Sequence, residues 1–198
     1  MRGVAPEVQI LPINIFIGGE STSQLADAIS FASTNGAAVI SNSWGYDSCE
    51  GRFDVFDAAV REAAQNGRGG KGCIITFASG NSFNTCVEYP ANLLDVIAVG
   101  AVTNQGERSN YSNFGTSLDL VAPSNGAAGV RTIDRMGGLG YDGRNYTRNF
   151  GGTSAACPVV SGVAALVISA APELSASAIK NILYTSAKDL GQSGRDNE

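Results

Sequence analysis

Short apolar runs alternate along this chain with stretches whose apolar residues recur every three or four positions. Leu25, Ala28, Ile29 and Ala32 fall at i, i+3, i+4 and i+7, one face of a helix that ends near Asn35-Gly36. Phe53, Phe56, Ala59, Val60 and Ala63 repeat the pattern, which stops at Asn66-Gly67. Between and after these helices lie runs of strand length: Ala37–Asn42, Cys73–Ala78, Val96–Val102 and Leu118–Ala122, the last closed by Pro123. Val8–Ile17 reads as an earlier strand interrupted by Pro12. Ala155–Ala170 is apolar nearly all round, which predicts a buried helix. A last amphipathic helix, from about Ser175 to Thr185, uses Ile179, Ile182 and Leu183. Strands alternating with helices predict an α/β fold, a mainly parallel central sheet covered on both faces by right-handed crossovers.

Ligands of such sheets bind beyond the carboxyl ends of the strands, so Ser43–Gly45 and Ser79–Asn81 are expected on one rim. Arg131–Asn149, with Asp142-Gly143 in its middle, reads as a hairpin or a long loop. There is no internal repeat or linker, and residues 1–198 are read as one domain. The net charge of −5 is spread without a basic patch, which argues against nucleic acid as a partner. No apolar run is judged long enough to cross a membrane. Of the four cysteines, only Cys49 and Cys86 lie in polar, loop-like surroundings, so at most one disulfide, Cys49–Cys86, is expected. Cys73 and Cys157 fall in packed elements, where a free thiol behaves as a small hydrophobe.

The chemistry gathers in three places. Gly151-Gly152-Thr153-Ser154-Ala155-Ala156-Cys157-Pro158 leads directly into the small-residue helix. A serine there could simply cap the helix, but the unpaired N–H groups of a first helical turn also favour an anion. Ile74–Ala78 runs through Ser79-Gly80 into Asn81, either as a turn or as an amide donor aimed at an oxyanion. Ser41-Asn42-Ser43-Trp44-Gly45 ends the preceding strand. These three motifs, in this order, resemble those of the subtilisin-like serine proteases, the subtilases. Gly3-Val4-Ala5-Pro6, Tyr89-Pro90-Ala91, Val96–Ala101 and Leu118–Pro123 add to the resemblance, which covers essentially the whole chain.

That resemblance implies a three-layer subtilisin-like fold and a serine endopeptidase working through an acyl-enzyme. Ser154 would be the nucleophile, with Asn81 and the Ser154 N–H as oxyanion donors. Ser43, Trp44 and Gly45 would form one wall of the pocket for the residue before the scissile bond, and Ala78, Ser79 and Gly80 the other. Glu88, just before Tyr89-Pro90, falls where the family forms the pocket floor, and a carboxylate there would favour Arg or Lys. Val159 stands where many members have a histidine after the proline, a position outside the catalytic triad.

The sequence contains no histidine, and subtilases order their triad Asp, His, Ser. The resemblance thus implies that the N-terminal part of the catalytic domain, with its Asp and His, is missing from this sequence, and that residues 1–198 alone are practically inactive. It also ends at Gly194–Glu198, before the family's usual closing segment. No cofactor is expected for the chemistry. Subtilases often bind structural calcium, but no metal ligand is assigned in this chain. A protein or peptide substrate, a monomer and a secreted, extracellular or periplasmic setting are expected. In a eukaryotic secretory route the sequons at Asn110 and Asn145 would become relevant. One alternative is a subtilase-like pseudoprotease that binds peptides without cutting them. Another, a nucleotide-binding domain, is disfavoured because Gly67–Gly72 precedes a strand instead of opening a helix.

Overall fold

A computed structural model describes residues 3–16, 18, 21–126 and 128–190. The predicted Ile17 end of the first run and the closing Gly194–Glu198 lie outside the described residues. In chain order the elements are α1 (Thr22–Thr34), β1 (Val39–Asn42), α2 (Asp54–Gly70), β2 (Ile74–Ala78), β3 (Ile97–Val102), β4 (Leu120–Pro123), β5 (Val130–Ile133), β6 (Tyr146–Phe150), α3 (Thr153–Ala170) and α4 (Ala176–Ser186). Strands β1 to β4 form a parallel sheet in sequence order, with Val39 opposite Ile74, Thr76 opposite Ile97 and Val99 opposite Leu120. The stretch Arg131–Asn149 resolves into an antiparallel pair, β5 with β6.

The period of two along a strand sorts the core into two halves. Ile75 and Phe77 of β2 and Ala98 of β3 face one side, against Leu25, Ile29 and Ala32 of α1 and Phe56, Val60 and Ala63 of α2. Ile74 and Ala78 of β2 and Ile97, Val99 and Ala101 of β3 face the other, against Ala156, Cys157, Val160 and Ala164 of α3 and Ile179 and Leu183 of α4. Both inner strands are therefore buried on both faces, which is why they read as continuous apolar runs. The result is the expected three layers.

Local chemistry sets the helix ends. Ser21 accepts from the Gln24 N–H at 3.3 Å while the Gln24 side chain accepts from the Ser21 N–H at 2.8 Å, a reciprocal capping box. The regular turns of α2 end where Asn66-Gly67 was expected to stop them: Gly67 is extended (φ −58°, ψ 169°), and Arg68 and Gly69 are left-handed. The α3 helix, 18 residues at a mean hydropathy of 1.8, is long and apolar enough by length and composition to cross a membrane, contrary to the sequence reading. One face of it, with Ala156, Cys157, Val160 and Ala164, packs on the sheet in the core half just described, while Val163 and Leu166 on the outer face are exposed, so the helix is not buried all round as its composition predicted.

The expected strand Val8–Ile17 does not form among its described residues, Val8–Phe16. A strand exists only by pairing, and among the described residues no strand pairs with this segment, although Ile15 packs on the core. β1 is the edge of the sheet, and an apolar cleft of about 1070 Å³ separates it from the segment. Ile10 and Phe16 are left largely exposed.

Candidate active site

Three strand ends converge on the start of α3. β1 runs out at Asn42 into Ser43, β2 at Ala78 into Ser79–Asn81, and β4 at Pro123 into Ser124-Asn125. Neither Thr153 nor Ser154 caps the helix; the cap position is Gly152, which has no side chain (φ 77°, ψ 173°). The missing cap is supplied from elsewhere. Asn81 Oδ1 accepts from the Thr153 N–H at 2.8 Å and from the Thr153 hydroxyl at 3.0 Å. These donors fix which way the amide points, because only the oxygen can accept. The Asn81 NH₂ is then turned away from the helix, on an exposed side chain. Gly152 permits this approach: a Cβ there would lie 3.3 Å from Asn81 Oδ1 in a left-handed backbone.

Ser154 is the second helical residue, so its N–H has no intrahelical acceptor and stands at the positive end of the helix dipole. Pro158 lacks an N–H, which removes the bond that Ser154 C=O would normally accept. The Ser43 hydroxyl fills that vacancy, donating to Ser154 C=O at 2.9 Å, while the Ser154 hydroxyl donates to Ser43 C=O at 3.4 Å. The proline and Ser43, 111 residues away from Ser154 in sequence, thus answer each other. The Ser154 side chain is half-buried, and the residue before it, Thr153, is the one that Asn81 caps.

The predicted walls are also brought to this rim. Ser79 N–H donates to Val99 C=O, and Ser79 C=O accepts from Glu88 N–H at 3.1 Å and from Asn113 Nδ2 at 3.2 Å. Trp44 does not turn its indole into the rim. The ring packs edge-on against Phe77 (5.2 Å) and Phe56 (5.7 Å), and Nε1 donates to Asn42 Oδ1. Gly45 follows with room to spare only for hydrogen, since a Cβ would lie 3.1 Å from Tyr89 C=O. Glu88 reaches Gly80: a Cβ on Gly80 (φ +108°) would overlap the Glu88 carboxyl and the Asn113 amide. Glu88 Oε1 accepts from Asn113 Nδ2 at 2.8 Å and from the Ser82 hydroxyl at 3.3 Å.

Sequence reasoning missed Asn113. It is fully buried, and its Oδ1 takes the Ser82 and Asn84 N–H groups at 2.9 and 3.0 Å. One side chain thereby holds both the turn after Asn81 and Glu88. Nothing in Ser112-Asn113-Phe114 distinguishes it from a surface asparagine. The loop after β1 is tied covalently to the segment carrying Glu88 by Cys49–Cys86, as expected, and Cys73 and Cys157 are free and buried. Among the described residues no group of three or more His, Cys, Asp or Glu could hold a metal ion, so they offer no carboxylate cage for calcium.

The family profile described as the Subtilase family matches residues 1–198. The calcium-dependent protease of Trichormus variabilis is 37% identical over 97% of this chain and 33% of its own length. Subtilisin Savinase of Lederbergia lenta is 34% identical over 96% of this chain and 64% of its own length. Among solved structures, a protease from Pseudoalteromonas arctica superposes with a TM-score of 0.79 at 28% identity, over 95% of this chain and 58% of that one. The chain therefore spans a third to two thirds of the length of these relatives.

Proposed function

This chain belongs to the subtilase family, and from that membership we propose that it is the part of a serine endopeptidase's catalytic domain that carries the nucleophile, the oxyanion hole and the pocket for the residue before the cleaved bond. Protein or peptide is the substrate class of this protease family. The observation that carries the reading is the Asn81 amide, whose oxygen is consumed in capping the helix of Ser154 and whose NH₂ is left over. In the reaction Ser154 Oγ attacks the scissile carbonyl, a base takes its proton, and the tetrahedral oxygen receives the Asn81 Nδ2–H and Ser154 N–H donors. The tetrahedral intermediate collapses as the C–N bond breaks and the amine leaves with the proton that the base returns, and water then hydrolyses the acyl ester to free the carboxylic acid and the Ser154 hydroxyl.

No histidine is available within these 198 residues to serve as that base. Loss of the histidine costs a subtilisin about 2 × 10⁶ in kcat, so the isolated chain is proposed to be practically inactive. The same count supports a second reading, a pseudoprotease that holds peptides along Ser43–Gly45 and Ala78–Gly80 without cutting them. The Glu88 carboxylate against Gly80 makes Arg or Lys the proposed residue before the scissile bond. Secretion and a monomeric state complete the proposal. Structural calcium, suggested by the name of one relative, would have to use ligands other than a carboxylate cluster of the described residues.

The test is peptide hydrolysis by residues 1–198 and by a longer form that includes an Asp- and His-bearing segment. The short form should be silent. The long form should cut, lose all cutting in Ser154→Ala, and lose roughly 10²–10³ in kcat in Asn81→Ala, the loss known for such a donor in a subtilisin. A long form that binds peptide without cutting it would establish the pseudoprotease.

A further inference from the structure

The end of β4 is absorbed by none of the roles above, yet it grips the same helix cap. Ser124 and Asn125 follow Pro123 directly, and Ser124 N–H still donates to Val102 C=O at 2.8 Å, so this corner is continuous with the sheet. The Ser124 hydroxyl donates to Gly152 C=O at 2.7 Å. Asn125 Oδ1 accepts from the Gly152 N–H at 2.9 Å and from the Tyr111 hydroxyl at 2.5 Å. Ser109 Oγ donates to Asn125 C=O at 3.2 Å, which anchors the asparagine backbone. Gly151 is shaped for this contact, because a Cβ there would overlap the Asn125 amide.

Both peptide planes flanking Gly152 are thus pinned by side chains. The plane between Gly151 and Gly152 is held at its N–H by Asn125. The next plane is held at its oxygen by Ser124 and at its N–H by Asn81 Oδ1. That second plane leads directly to the Ser154 N–H. Gly152 is the residue with the most torsional freedom in the segment. Without the clamp, rotation at Gly152 would swing both the Ser154 donor and the Thr153 groups that orient Asn81.

We propose that Ser124 and Asn125, braced by Tyr111, are positioning residues of the oxyanion hole: they hold the Gly152 peptide so that the Ser154 N–H and the Asn81 NH₂ converge on one oxygen. The inference rests on the proposed role of Ser154 and Asn81. It predicts a specific loss. Affinity for a tetrahedral anion should fall far more than affinity for an unreacted peptide in the groove, since the clamp touches neither wall itself and reaches them only through the Thr153–Gly80 and Ser154–Ser43 bonds.

The experiment compares two probes on residues 1–198 and its variants: a peptide boronic acid, which becomes a tetrahedral anion on the serine oxygen, and the same peptide ending in a carboxamide. Arg- and Phe-ending pairs are made, and the tighter is used. Binding is measured by calorimetry and the tetrahedral adduct by ¹¹B NMR. The wild-type chain should prefer the boronic acid, and Ser154→Ala should erase that preference. Asn125→Ala and Ser124→Ala should each cut boronic acid affinity at least tenfold with carboxamide affinity within twofold of wild type. Tyr111→Phe, which keeps the ring and loses only the hydroxyl, should cut it about threefold and serves if the alanine variants do not fold. A preference for the boronic acid that survives all three variants overturns the inference and leaves the Ser154 reading intact. Equal losses for both probes also overturn it, as the mark of a purely structural role. No preference in the wild-type chain overturns the Ser154 and Asn81 reading, and this inference with it.

Discussion

In the proposed pocket, Glu88 is the residue whose charge carries the specificity. Its Oε1 is engaged by Asn113 and Ser82, and the carboxyl lies against a glycine whose missing side chain makes the room. A neutral amide in the same place keeps the shape and removes the charge. In a long, active form, Glu88→Gln should therefore lower kcat/KM for substrates with Arg before the cleaved bond by tenfold or more, about 1.4 kcal/mol. It should leave substrates with Phe there within a factor of about three. Kinetics on a matched Arg and Phe pair read this out, and an Arg preference unchanged by the substitution would show that the carboxylate is only a bracket for Ser82 and Asn113. The Asn81 argument has the same form. Its identity as an amide donor follows from what its oxygen is already bonded to, not from its surroundings in sequence.

At the scale of elements, burial sorts the cysteines. Cys49–Cys86 joins the loop after β1 to the segment carrying Glu88, across a sequence separation of 37. Closing a loop of that size is worth up to ~4 kcal/mol by chain entropy. Cys73 and Cys157 lie at the start of β2 and in the first turns of α3, and burial pushes both thiols above the usual cysteine range. The thiolate is the reactive form, so both should be silent to a disulfide reagent at pH 8 in the folded chain. In denaturant without reductant two thiols per chain should appear, and after reduction four. A fast Cys157 would contradict the packing of α3 on the sheet, and a fast Cys73 the packing of α1 and α2 on its other face.

The same scale explains what could be read from sequence. The three amphipathic helices were legible because each carries its own period, and β2 and β3 as continuous apolar runs; the shared rim of Ser43 and Asn81 followed from parallel strands presenting their carboxyl ends together, while Ser154 was joined to them by the family resemblance. Val8–Phe16 was misread because an apolar run specifies a strand only when a neighbour pairs with it. Asn113, Ser124 and Asn125 were invisible for a different reason. Their roles are set by hydrogen bonds across 14 to 34 residues, and no local pattern marks a polar side chain as the one that will be buried. Trp44 lies at the predicted strand end, with its ring packed on Phe56 and Phe77.

For the whole molecule the telling group is a partly buried cation. Lys180 of α4 donates to Asp95 and Val96 C=O at 2.8 and 3.2 Å, tying the last helix to the loop before β3. Burial pulls its pKa below the ordinary lysine value, with Asp119 and Asp95 drawing it partly back. The folded chain therefore releases this proton at a lower pH than the unfolded chain, whose lysine titrates near about 10.4. Between those two values the unfolded state holds more protons, so stability from this group rises with pH. Tyr89 acts in the opposite sense. Its phenol, buried and donating to Asp57 at 2.6 Å, is held above the usual range, so the unfolded chain ionises first above about pH 10 and stability falls. Comparing the wild-type chain with Lys180→Met cancels the tyrosine, which both share. In urea unfolding from pH 8 to 10.5, the stability difference should move steadily in favour of the wild-type chain as pH rises. A constant difference would mean that Lys180 stays charged where it lies, with the two carbonyls and two carboxylates together matching what water had supplied.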